Sequence, residues 1–258
     1  MLAKLHEWLE KQGYPLEMKV AKELLKNNFN TLQSNYYKDP ETDKSREIDV
    51  VGQFGYAHKG YTVLFQLIIE CKNNTSKPWI TFSSENHTIK DNDFLIQRPA
   101  SNIGSKYLKF ISEKKLLERT DFFNKPKSFA YNITQAFETE SDKTYSALMS
   151  VINAVKFRKD KTNHSFSHTK SCEIYYPLIV LGGKLFDCYL DGKGESKIDE
   201  VENKILLWRN SQVGYNNTII EIMTFESFSK RIVVLKKELE ELMTIKSTDF
   251  FDGDYYNS

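Results

Sequence analysis

Tyr61 to Lys72, YTVLFQLIIECK, is the stretch on which the reading of this chain turns. As a strand, its side chains alternate between two faces. Tyr61, Val63, Phe65, Leu67, Ile69 and Cys71 share a face without charge. Thr62, Leu64, Gln66, Ile68, Glu70 and Lys72 share the other, which is apolar at its middle and ends in a carboxylate and an ammonium. So apolar a run predicts a central strand covered on both sides. Its C-terminal end is then a natural place for a site.

Upstream, REIDVVGQ (46–53) reads as a neighbouring strand, with Ile48 and Val50 on one face and Glu47, Asp49 and Val51 on the other. Gly52 and Gly55 are expected to begin the turn towards residue 61. Aspartate is a poor strand former, so Asp49 within a β-branched run implies a role that offsets the cost, or an exposed edge. FNTLQSNYY (29–37) predicts a first strand, followed by the polar loop KDPETDKS. Before it, a helix over about 15–27 carries Val20, Ala21, Leu24 and Leu25 on one stripe, and Glu17 falls on the same stripe. Two readings of Glu17 stay open: an acid turned towards the body of the protein, or a first-turn acid favoured by the helix dipole. Leu2, Leu5, Trp8 and Leu9 predict a short amphipathic helix over 2–11.

Downstream, the periodicity predicts helices over about 103–118, 132–157 and 226–243, and strands over 173–181, 184–190 and 218–225. Pro177 marks the first of those strands as edge or bulge. KFRKDKTNHSFSHTK (156–170) reads as a basic loop. Lys156, Arg158, Lys159 and Lys161 are its candidate phosphate contacts, a solvated surface run being the alternative.

Composition bounds the rest. The 258 residues are expected to form a single domain, and 40% hydrophobic with 28% charged residues is ordinary for a globular chain. With 36 basic against 35 acidic residues, whole-chain charge gives no support for a nucleic-acid partner. Any basic surface must be local. Cys71, Cys172 and Cys188 are odd in number and set in apolar runs, which predicts reduced core thiols rather than disulfides or a zinc site. No signal core and no long apolar window is present, so a soluble cytoplasmic protein is expected, with no membrane partner.

Glu-x-Lys alone carries little, since it recurs at Glu17–Lys19, Glu113–Lys115, Glu195–Lys197 and Glu202–Lys204. Only Glu70 and Lys72 end an apolar strand that follows an Asp-bearing strand and a helix with an inward acid. In this order the residues resemble the PD-(D/E)XK nuclease superfamily. The resemblance implies an α/β fold with a restriction-endonuclease-like core, a central mixed β-sheet flanked by helices (core about 13–82 and 131–190), a middle insertion (83–130) and a C-terminal extension (strand and helix about 217–243). Ile48 stands where the family name has proline. Carried over, Asp49 and Glu70 are the metal-binding acids, Lys72 the catalytic lysine and Glu17 the acid of the first helix, supporting a metal or a bound water. The backbone carbonyl of Cys71 is a further metal ligand, and Gln135, placed near the start of the long helix, is a supporting residue.

What the resemblance implies is a metal-dependent nuclease acting on DNA, using Mg²⁺ with Mn²⁺ as substitute, in restriction or anti-phage defence. Two carboxylates suit Mg²⁺, which takes oxygen ligands and keeps several waters. The cation activates water and neutralises phosphate charge, while a lysine stabilises charge developing on the phosphoryl oxygens. The expected partners are DNA and either a second copy of the chain or a partner protein of a defence system. The competing readings are a catalytically inactive nucleic-acid-binding or assembly module of the same fold, and a strand-end ion pair with no further role.

Overall fold

Residue 61 does open a central strand. The computed structural model describes residues 1–10, 12–58, 60–73, 76–84, 97–114, 126–137, 143–165, 170–209, 217–245 and 250–251. Of the C-terminal tail FDGDYYNS (251–258), which the sequence predicts to be loose, only Phe251 is among them, and it is buried in the core. The described helices are α1 (Leu2–Glu10), α2 (Tyr14–Lys26), α3 (Asn102–Glu113), α4 (Lys143–Asn163) and α5 (Phe225–Ile245). The strands are β1 (Asn30–Lys38), β2 (Ser45–His58), β3 (Tyr61–Lys72), β4 (Trp79–Ser84), β5 (Phe129–Gln135), β6 (Lys170–Leu181), β7 (Leu185–Leu190), β8 (Ser196–Val201), β9 (Asn203–Arg209) and β10 (Asn217–Thr224). All belong to one mixed sheet, ordered β1-β2-β3-β6-β10-β9-β5-β4-β7-β8, so the described residues form a mixed α/β fold in which these five helices flank a large sheet.

β1, β2 and β3 form an antiparallel meander, and β6 adds parallel to β3 along its whole length, Tyr61 opposite Lys170 and Lys72 opposite Leu181. β3 is thus flanked on both edges. Its uncharged face, from Val63 to Cys71, packs in one core with α2 (Leu16, Val20, Leu24), α3 (Tyr107, Leu108, Ile111) and α5 (Phe228, Ile232, Leu235, Leu239). Ile68, on the opposite face, packs under α4 with Leu148, Val151 and Val155. Covering both faces explains why the run reads as continuously apolar.

Several expectations change. The periodicity over 132–157 is not one helix: Phe129–Gln135 is strand β5, paired antiparallel with β4, and α4 begins only at Lys143. The basic stretch from Lys156 to Asn163 is the last part of α4 rather than a loop. Gly52 and Gly55 are not turn residues, because β2 continues to His58. A Cβ on Gly52 would stand 2.8 Å from the Leu24 side chain, and one on Gly55 2.3 Å from the Val63 carbonyl oxygen, so each gives room for a close approach.

β10, expected in a C-terminal extension, lies inside the sheet between β6 and β9. It pairs with β6 only from Leu178 onward, and this explains Pro177. The N–H groups of Glu173 and Tyr175, of the same parity, turn away from β3 to Ser101 Oγ and Pro99 O. The donor that proline lacks would point to that side, before β10 joins. The strand is central, but at Pro177 that edge is locally open. α1 forms as expected, yet Leu2, Leu5 and Trp8 stay more than half exposed. The three cysteines are free thiols, Cys71 and Cys172 buried.

Candidate active site

Where β2 and β3 stop pairing, four of the residues singled out in the sequence come together. The last paired residues are Val50 and Ile69. One step further, Asp49 Oδ2 accepts a hydrogen bond from the Cys71 N–H at 2.7 Å. The alternation of β2 slips here: Ile48 and Val51 pack in the α4-side core while Val50 packs in the other. This corrects the expectation that Ile48 and Val50 share a face. Across from Asp49, Ser34 has φ 49°, left-handed for a residue with a Cβ, and the β1–β2 pairing passes from Gln33–Val50 directly to Asn35–Ile48. Such an irregularity re-aims a side chain, and Asp49 is the one re-aimed.

Cys71 N–H points to the β2 side, and in a strand the carbonyl of a residue points the same way as its N–H. The Cys71 carbonyl is therefore beside Asp49, whereas the next carbonyl, of Lys72, accepts from Gly182 N on the β6 side. The Cys71 thiol is buried in the opposite core, where burial pushes its pKa well up. Glu70 is only 6% exposed. Its Oε1 accepts from Lys72 Nζ at 2.5 Å, while Oε2 is buried without a hydrogen-bond partner. Glu17 arrives from α2, which Leu16 and Val20 dock on β3 and Leu24 docks over Gly52. Asn73 Nδ2 ties the segment before α2 to the end of β3 through Gln12 O at 2.8 Å.

The electrostatics couple these groups. Burial, then the nearby Asp49, push the Glu70 carboxyl up to about 7, with Lys72 opposing. Glu17 is likewise pushed to about 7 by partial burial and by Asp49 and Glu47. Asp49 is raised by burial, against the Cys71 N–H and Lys72. Burial pulls the Lys72 ammonium down, but the carboxylates of Glu70 and Asp49 outweigh it and its pKa rises. Among the described residues, no group of three or more His, Cys, Asp or Glu side chains is gathered so as to hold a metal ion outright.

No family model matches the chain, and no curated protein or solved structure matches it.

Sequence reasoning missed Glu47. Exposed at the rim, it acts electrostatically on Glu17, Asp49 and Tyr36. Its position two residues before Asp49 was the available signal. Gln135 is not on a helix and not at this site. It sits on β5, four strands from β3 in the sheet order, with Nε2 donating to Lys77 O. The basic residues are apart from the site too. Arg158 donates to Gln66, four residues before Glu70 and so about 13 Å away along β3. Lys156, Lys159 and Lys161 make no ion pair with a described residue.

Proposed function

We propose that this chain is a metal-dependent nuclease that hydrolyses phosphodiester bonds in DNA, with a restriction-endonuclease-like core, acting in the cytoplasm as a restriction or anti-phage defence effector. The observation that carries the reading is the meeting of Glu17, Asp49, Glu70 and Lys72 at the open ends of β2 and β3, with Glu70 Oε2 buried and unpartnered. Carboxyls crowded until two of them titrate near neutral pH fit a divalent cation, which would relieve both the crowding and the orphaned oxygen. Asp49, Glu70 and the Cys71 carbonyl would hold Mg²⁺ or Mn²⁺, an oxygen set suited to an ion that keeps several waters. When bound, such an ion supplies Lewis acidity towards water and phosphate.

The protein's own groups take the other roles. Lys72, held charged by its neighbours, donates hydrogen bonds to negative charge developing on the phosphoryl oxygens and does not act as a base. Glu17, half-buried on α2 with a pKa near 7, is suited to accept a proton from the attacking water. The buried middle of β3 keeps these groups fixed against thermal wandering, which preorganises the charges.

The test is incubation with plasmid and linear DNA and Mg²⁺ or Mn²⁺, beside Asp49→Ala and Lys72→Ala. Each substitution is expected to lower cleavage by about a hundredfold or more. Activity surviving both sinks the assignment. One observation favours the alternative, a catalytically inactive nucleic-acid-binding or complex-assembly module: Asp49 Oδ2 and Glu70 Oε1 already have protein partners in Cys71 N–H and Lys72. Salt-dependent DNA binding without cleavage under either metal would select that reading.

A further inference from the structure

On the same face of β3 as Glu70, but at the other end of the strand, lies a cavity of about 580 Å³ between β3, the last turn of α4 and the first turn of α3. This is within the few-hundred-Å³ range of small-molecule sites and far more than an inorganic phosphate needs. Its wall is built on a continuous polar network. Arg158 Nη1 donates to Gln66 Oε1 at 2.9 Å and Nη2 to Asn35 Oδ1 at 2.6 Å. Gln66, 3% exposed, donates in turn to Glu173 at 2.5 Å, and Gln53 donates to Gln66 at 3.2 Å. Glu173 also accepts from Ser171 on Oε1 and from Tyr175 on Oε2.

These donors are neutral, so Glu173 keeps its charge and offsets one cation of the wall. The two bonds of Arg158 leave the other guanidinium donors over, and Lys161, exposed one turn on, adds a second cation. The helix ends offset one another, the N-terminus of α3 being opposed by the C-terminus of α4. Arg158 and Lys161 against Glu173 leave an excess of one positive charge. Leu64 and Ile103 give the cavity apolar surface beside its amides and hydroxyls. One anion-binding end and an apolar, amide-bearing wall together match one phosphate, one sugar and one base.

We infer that this cavity is a nucleotide-binding site, separate from the Asp49–Glu70–Lys72 cluster, that takes a single-phosphate nucleotide unit, either free or as part of a strand. The inference does not depend on cleavage. Metal-free protein is titrated calorimetrically with each of the four deoxynucleoside 5′-monophosphates, with a short single-stranded oligodeoxynucleotide and with inorganic phosphate.

Saturable binding of a mononucleotide, tighter than inorganic phosphate, is the expected result for a free ligand. Binding of the oligonucleotide alone assigns the site to a strand. In either case Lys161→Glu weakens binding about tenfold, and Thr62→Trp, which fills the cavity, abolishes it. Lys161 is exposed, so its substitution reads the site even if Thr62→Trp fails to fold. The inference is overturned by no saturable binding of any nucleotide, by affinity unchanged in Lys161→Glu, or by inorganic phosphate binding as tightly as the nucleotides. Binding here with no DNA cleavage would overturn the nuclease reading alone.

Discussion

Glu70 concentrates the physics of the candidate site. A carboxylate that is 6% exposed, with one oxygen on an ammonium and the other without a partner, is stable only as part of a pair or with its proton on. Lys72→Met should therefore cost about 3 kcal/mol at pH 8 by denaturant unfolding, because it leaves a buried charge uncompensated. The double substitution Lys72→Met with Glu70→Gln should recover most of that loss. A double variant as unstable as the single one would show that Lys72 stabilises by packing its stem. Asp49 was legible in the sequence as an acid out of place in a strand. The slip that aims it was not, since it coincides with the left-handed Ser34 on a different strand.

At the scale of elements, α2 brings Glu17 to the strand ends, and the close approach of Leu24 to Gly52 sets how near it comes. Gly52→Ala puts a methyl group 2.8 Å from Leu24 and is expected to destabilise by about 1–3 kcal/mol through overpacking. Combined with Leu24→Ala it should cost less than the sum of the two single changes, because they share the contact. Strict additivity in thermal melts would mean that α2 moves away instead.

The elements read correctly are those whose periodicity is their own. α5 carries Phe228, Ile232, Leu235 and Leu239 at helical spacing, and all four are buried. β8 was missed because nearly every side chain in it is exposed, so only its ladder with β7 makes it a strand. β5 was read as helix because Ile133, Ala136 and Phe137 fit a helical spacing. The alternation from Tyr131 to Gln135, exposed at 131, 132 and 134 and buried at 133 and 135, was the weaker signal.

For the molecule as a whole, the crowded acids predict a pH dependence of folding in the absence of metal. Glu17 and Glu70 rise from an ordinary 4.5 to about 7 on folding. Between those values the native state holds protons that the unfolded state has released, so stability falls as pH rises. Their stabilising contribution is complete below pH 4.5 and lost as pH passes through about 7. Asp39 and Asp191, whose pKa values are lowered, act in the opposite sense only on further acidification. The melting temperature in chelator should therefore decline from pH 5 to pH 8, and Glu70→Gln should flatten the decline. Mn²⁺ should raise the melting temperature at pH 8 and much less at pH 5, since protons compete for the same oxygens. An equal rise at both pH values would separate metal binding from these carboxyls.

The sequence by itself determined that residues 61–72 form a central strand, that α2 and α5 present apolar stripes and that Cys71 and Cys172 are core thiols, whereas Cys188 is only half-buried. These follow from local periodicity and burial preference, which each segment carries alone. It also held Glu17, Asp49, Glu70 and Lys72 in order, but order is not convergence. That β10 enters the sheet between β6 and β9, that Gln135 lies four strands away and that Arg158 faces a cavity instead of the acids were decided by tertiary structure alone. Strand order and side-chain meeting depend on pairings between residues far apart in the chain, and their free energy exists only when the whole sheet is assembled.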